Sequence, residues 1–111
     1  MSLEGLWTSQ IYGLFGWENT GVLILTNGQA MGGGNNHYSI GSYNDTGNNV
    51  EISLQVEYHG TPKTVFGAAE NQLSISLTGK HDDNMIEGEV CRADKRDMSL
   101  PFRLIRRTDL P

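Results

Sequence analysis

A chain of 111 residues is long enough for one domain that buries about two-thirds of its unfolded surface. Its apolar share of 37%, 14 glycines and net charge of −5 leave no stretch approaching the ~20 apolar residues of a membrane span. Nucleic-acid binding is disfavoured by the acidic balance, and a single cysteine, Cys91, excludes an internal disulfide.

The charge is unevenly placed. Residues 1–91 hold ten acids against Lys63 and Lys80, whereas residues 92–111 hold six bases against three acids. An acidic body of this kind suits a basic partner; an ordinary solvated surface with a basic last strand accounts for it equally well. The N-terminus has no basic-then-apolar leader, which predicts a cytoplasmic protein, and residues 1–3 read as a cloning remnant. Asn44-Asp45-Thr46 matches a glycosylation acceptor, taken as chance without a secretory signal.

In chain order, Gly5 to Tyr12 predicts a first strand with Trp7 and Ile11 facing inward, bent or broken by Gly13 and Gly16. Residues 21–26 form a second. Its apolar run Val22, Leu23, Ile24, Leu25 asks for cover on both faces, because successive side chains point opposite ways. A helix, a loop or a second subunit should therefore cover Leu23, Leu25 or their neighbours, and with no helical periodicity in the chain a second subunit is favoured. Asn27-Gly28 tolerates positive φ at both positions and predicts a type I′ hairpin. Gly32, Gly33 and Gly34 turn the chain again, and Tyr38, Ile40, Gly41 and Tyr43 mark another extended segment.

Residues 50–59 give the clearest strand. Val50, Ile52, Leu54, Val56 and Tyr58 alternate without a break against Glu51, Ser53, Gln55, Glu57 and His59. Residues 63–67 form a weak edge candidate, followed by Leu73, Ile75 and Leu77. Residues 81–84 read as a turn, and residues 92–97 as a charged loop. Ile86, Gly88 and Val90 face inward on one late strand, and Leu100, Phe102 and Leu104 on the last. These nine segments predict an all-β fold, a small antiparallel up-and-down β-barrel of about eight strands. Closure needs an even number, so either one segment is miscounted, residues 63–67 being the weakest, or the barrel is incomplete.

Catalytic signals are absent or outweighed. His37, His59 and His81 are equally spaced and would gather at one end of the barrel if residues 63–67 were a strand, giving an open zinc site. Without that strand His81 falls at the opposite end, and histidines in turns are common for solubility alone. Cys91 lies beside Arg92 but has no histidine at a recognisable spacing. Glu87 and Glu89 share a face that solvation explains. No phosphate loop, dinucleotide fingerprint or serine elbow is present. The reading is therefore a protein that is not an enzyme, with no metal and no cofactor. What remains is the interior, wide enough to be filled by side chains or to hold one small ligand. Trp7, Tyr38, Phe66 and Phe102 would line it with the face Val50, Ile52, Leu54, Val56 and Tyr58.

The run from Gly21 to Gly28, then Met31-Gly32-Gly33, Tyr38, Gly41 and Tyr43, resembles the GrlR-like negative regulators of bacterial type III secretion. The likeness continues through residues 50–58 and 73–79 and so spans most of the chain. It implies a lipocalin-like barrel, cytoplasmic and homodimeric, that sequesters a transcriptional activator and binds neither nucleic acid directly nor membrane. Gly5-x-Trp7 resembles the first-strand motif of lipocalin-type barrels, which implies a tryptophan under the floor packed on a late arginine, Arg103 or Arg106. There is one departure: where the family carries an acidic run, this chain has Asn44-Asp45-Thr46-Gly47-Asn48-Asn49. The partner-binding candidates are Asn44, Asp45, Asp82 and Asp83, and the dimer patch is Val22, Leu23, Ile24 and Leu25. The alternative function is a carrier of a small apolar ligand inside the barrel.

Overall fold

The structure, a computed structural model, describes residues 2–60 and 71–111. Eight strands, β1 (Gly5–Gly13), β2 (Gly16–Thr26), β3 (Gln29–Gly33), β4 (His37–Asp45), β5 (Asn49–Tyr58), β6 (Gln72–His81), β7 (Met85–Arg92) and β8 (Lys95–Thr108), follow one another around a closed barrel. Every neighbour is antiparallel, and β8 returns to pair with β1. The all-β, up-and-down expectation is met with eight strands. The ninth candidate, residues 63–67 with Phe66, lies outside the described residues.

Turn chemistry sets several of the joints. Asn27 and Gly28 both have positive φ (50° and 78°), as a two-residue type I′ hairpin requires. That hairpin pairs Leu25 with Ala30 and puts both side chains in the core. The β1–β2 turn uses Leu14 and Phe15, both solvent-exposed, with Gly16 at φ 97° taking up the reversal. The predicted loop at 92–97 is shorter than expected: Lys95 pairs with Arg92, and the extra residues 96–98 loop out of register before Ser99 meets Cys91.

Alternation then decides what is inside. Trp7, Leu23, Leu25, Val50, Ile52, Leu54, Val56, Ile86, Val90, Phe102 and Leu104 are all buried in one cluster. Burying a large apolar side chain contributes about 1.5–3 kcal/mol, so this ring supplies most of the drive to close. Closure requires close contact elsewhere. Gly79 pairs with Gly88, and a Cβ at Gly88 would collide with the carbonyl oxygen of Thr78.

The ends of the strands are uneven. β1 pairs with β8 only as far as Ile11 and Phe102, immediately before Pro101, which has no N–H to offer. β2 pairs with β3 only as far as Val22 and Gly33. The β1–β2 hairpin therefore overshoots the ring and stands beside one mouth of the barrel.

Candidate functional site

The two ends of the barrel are built differently. At the end holding the chain termini, the indole N–H of Trp7 donates to the carbonyl of Leu3 at 3.0 Å, and both residues are buried. The Arg106 guanidinium lies 4.7 Å from the centroid of the Trp7 ring. Its N–H groups donate to the carbonyls of Ser2 (2.8 Å), Asp83 (3.0 Å) and Glu4. One cation thus ties the N-terminal segment, the β6–β7 turn and the core indole together. Arg106 is the arginine that the Gly5-x-Trp7 motif implied; Arg103 stacks instead on the outward Trp17, at 4.1 Å. Leu3, in the segment read as a cloning remnant, is part of the core.

Among the described residues, the opposite end holds a void of about 80 Å³, walled by Leu54, Val56, Leu73, Ile75 and Phe102. Its rim carries Thr20, His37, Ser39 and Tyr58. A second groove of about 240 Å³ adjoins it, lined by Asn19, Asn35 and Asn36 and sharing Thr20 and His37 with the first. Thr20 is held by a 2.6 Å hydrogen bond to Ser9, at the register shift where β2 leaves the regular ladder. The His37 and Tyr58 rings pack at 5.6 Å. Partial burial raises the Tyr58 hydroxyl above its ordinary pKa and keeps it neutral.

At the closed end, the β4–β5 and β6–β7 turns meet. His81 Nε2 lies 3.0 Å from a carboxylate oxygen of Asp45, and the His81 side chain is only 7% exposed. Its Nδ1 is buried with no hydrogen-bond partner among the described residues. Asp45, Asp82 and Asp83 share a surface groove here with Gly47 and Asn48. Asp82 accepts hydrogen bonds from the backbone N–H of Asn84 (2.8 Å) and Met85 (2.9 Å), which hold its carboxyl below the usual range.

Within residues 20–44 the outer face of β2–β4 is uncharged and largely apolar. Val22 (43% exposed), Tyr38 (48%) and Ile40 (57%) project outward, with Ile24 and Met31 between them on paired positions. Residues 20–44 contain no Asp, Glu, Lys or Arg at all. The net charge of −5 therefore lies entirely on the rest of the chain.

Several expected positions need correction. Leu23 and Leu25 belong to the interior, because Leu23 pairs with Trp7 and Leu25 with Gly5, on the buried side. Only Val22 and Ile24 of that patch face outward. Tyr38 was expected inside; it lies on the surface and donates to Glu57 at 2.8 Å. The reason is the register: Gly41 pairs with Ala30 and Leu54 on the inner side, so Ser39 and His37 share that side and Tyr38 does not. Among the interior candidates, Leu54, Val56, Tyr58 and Phe102 line the void, while Trp7, Val50 and Ile52 are packed solid and do not line it. Asp45, Asp82 and Asp83 do come together, with Asn44 exposed on the adjoining strand.

The equal histidine spacing has no geometric consequence. β5 and β6 are direct antiparallel neighbours, which puts His37 and His59 at the open end and His81 at the closed one. Among the described residues no group of three or more His, Cys, Asp or Glu side chains is placed to hold a metal ion. The rim residues Thr20 and Ser39 went unnoticed in the sequence, and His37 was weighed there only as a metal ligand. Their signal was the alternation His37, Ser39, Gly41, Tyr43, masked by the bulkier Tyr38 and Ile40 between them.

No family model matches this chain, and no curated protein matches it in sequence. Among the described residues no helix is long and apolar enough to cross a membrane.

Proposed function

We propose that this protein is a non-enzymatic interaction module, cytoplasmic and homodimeric, that holds a basic protein partner. This is the mode of action implied by its resemblance to the GrlR-like regulators, which sequester a transcriptional activator. The observation that carries the reading is the outer face of β2–β4: exposed, apolar and free of charge across residues 20–44. Two copies of an acidic chain repel each other least through a long stretch that carries no charge. A face of this kind, placed against its own copy, satisfies the self-complementarity of an isologous interface. The acidic groove at Asp45, Asp82 and Asp83 stays exposed in such a dimer and offers a basic segment its counter-charge.

Sedimentation velocity of Ile24→Glu, Ile40→Glu double-variant protein provides the test. Both side chains point away from the core, so the far-ultraviolet spectrum should be unchanged. A dimer that becomes a monomer supports the reading. A wild-type monomer, or a variant that remains dimeric, removes this face as the interface.

A further inference from the structure

We propose that the open mouth of the barrel is a binding site for a small neutral amphiphile, with its apolar part in the void and an uncharged polyol or amide head in the asparagine-lined groove. This goes beyond the interaction surfaces, which lie on the outer face and at the opposite end.

Three observations carry it. The first is the pairing of chemistries. An apolar void and a polar groove meet at two shared residues, Thr20 and His37, so one molecule can occupy both. Apolar walls end at the rim, where hydroxyl, imidazole and amide groups begin. A ligand with the same division fits without burying an unpaired polar atom.

The second is size. A void of about 80 Å³ has room for about five to eight waters. That volume takes one ring or a short acyl chain of roughly six carbons, well under the 300–1,000 Å³ of a site for larger ligands. Long lipid tails are excluded because the void is closed at depth by its own lining of buried Leu23, Leu77 and Leu104.

The third is charge. Among the described residues lining the two cavities there is no Lys, Arg, Asp or Glu. The adjacent acid is Glu18, exposed on the β1–β2 hairpin, which opposes an anionic head. Asn35 is exposed and makes no side-chain hydrogen bond among the described residues, so its amide is available to a ligand. Tyr58, which lines the void, adds an uncharged hydroxyl.

The experiment uses the full chain, with monohexanoyl glycerol as the probe, hexanoate and monopalmitoyl glycerol as comparators, and amide chemical shifts as the readout. The expected result is saturable binding of monohexanoyl glycerol below its micelle concentration, with shifts confined to Thr20, Gly21, Gly34, Asn35, Asn36, His37 and the walls of the void. Ile75→Trp, which fills the void from a half-buried position, should abolish it. Asn35→Ala, at an exposed position that leaves the fold intact, should weaken it about threefold to tenfold, the worth of one net hydrogen bond. Equal or tighter binding of hexanoate overturns the neutral head. Tighter binding of monopalmitoyl glycerol overturns the size limit. Absence of shifts at the mouth, or an Asn35→Ala variant that binds as wild type does, overturns the site.

Discussion

The two ends of this barrel solve the same problem in opposite ways. A closed ring of strands leaves an opening at each end, and each opening exposes apolar core to water. At one end Trp7 fills the opening, and Arg106 seals it by donating to three backbone carbonyls from two segments, the N-terminal stretch and the β6–β7 turn. At the other end, among the described residues, Tyr58 and Phe102 bring comparable bulk but leave the centre unfilled. Thr20, His37 and Ser39 take the equivalent positions, and a void remains. The comparison teaches that a plug needs both volume and a cross-linking cation. Where β4 supplies small and polar inward residues, the described strands close the ring but leave a void between them.

The sharpest way to break the comparison is Trp7→Ala. It would empty the sealed end and should cost roughly 3–5 kcal/mol, measured by urea denaturation. A loss below about 1 kcal/mol would mean that the indole is not the plug. Next in size is the contrast between the two late arginines. Arg106→Gln should destabilise by about 2 kcal/mol, because charged donors leave three carbonyls and the indole face at a partly buried position. Arg103→Gln removes one hydrogen bond to Gln10 and a surface stacking contact, and should cost about 0.5–1 kcal/mol. Equal effects from the two would dissolve the distinction between seal and surface.

The smallest effect is one of pH. Tyr58 at the mouth has its hydroxyl pKa raised by burial above the ordinary 10.0. The folded state then holds that proton more tightly than the unfolded state does. Its contribution is fully present below about pH 10 and is lost as pH rises through the folded value. Tyr58→Phe should flatten the alkaline limb of the stability profile and leave the acid limb alone. The sealed end behaves in the opposite sense. Asp82 is held low chiefly by the backbone N–H groups of Asn84 and Met85, so its contribution is present near neutrality and lost as pH falls through the folded value. Asp82→Asn should flatten the acid limb. Variants that exchanged these limbs would refute the assignment.

Much of the architecture was legible before any coordinates. Strict alternation over Val50, Ile52, Leu54, Val56 and Tyr58 named its own buried face, and Asn27-Gly28 named its own turn, since both signals are local. Trp7 was assigned inward for the same reason. The site was less legible. In β2 four apolar residues in a row carry no phase, so Leu23 and Leu25 could be placed on either side until Trp7 and Gly5 were seen opposite them. In β4 the bulk of Tyr38 and Ile40 suggested one phase, and the pairing of Gly41 with Ala30 enforced the other.

By itself, then, this sequence determined where strands run and where the chain reverses, because backbone dihedral preference and period-two hydrophobicity act over a few residues. Only the tertiary structure decided which end is sealed, which phase of β2 and β4 faces the core, and that Asp45 meets His81 across 36 positions of chain. Those are consequences of register around a closed ring, where each strand's inward face is set by the partner it meets and not by its own composition.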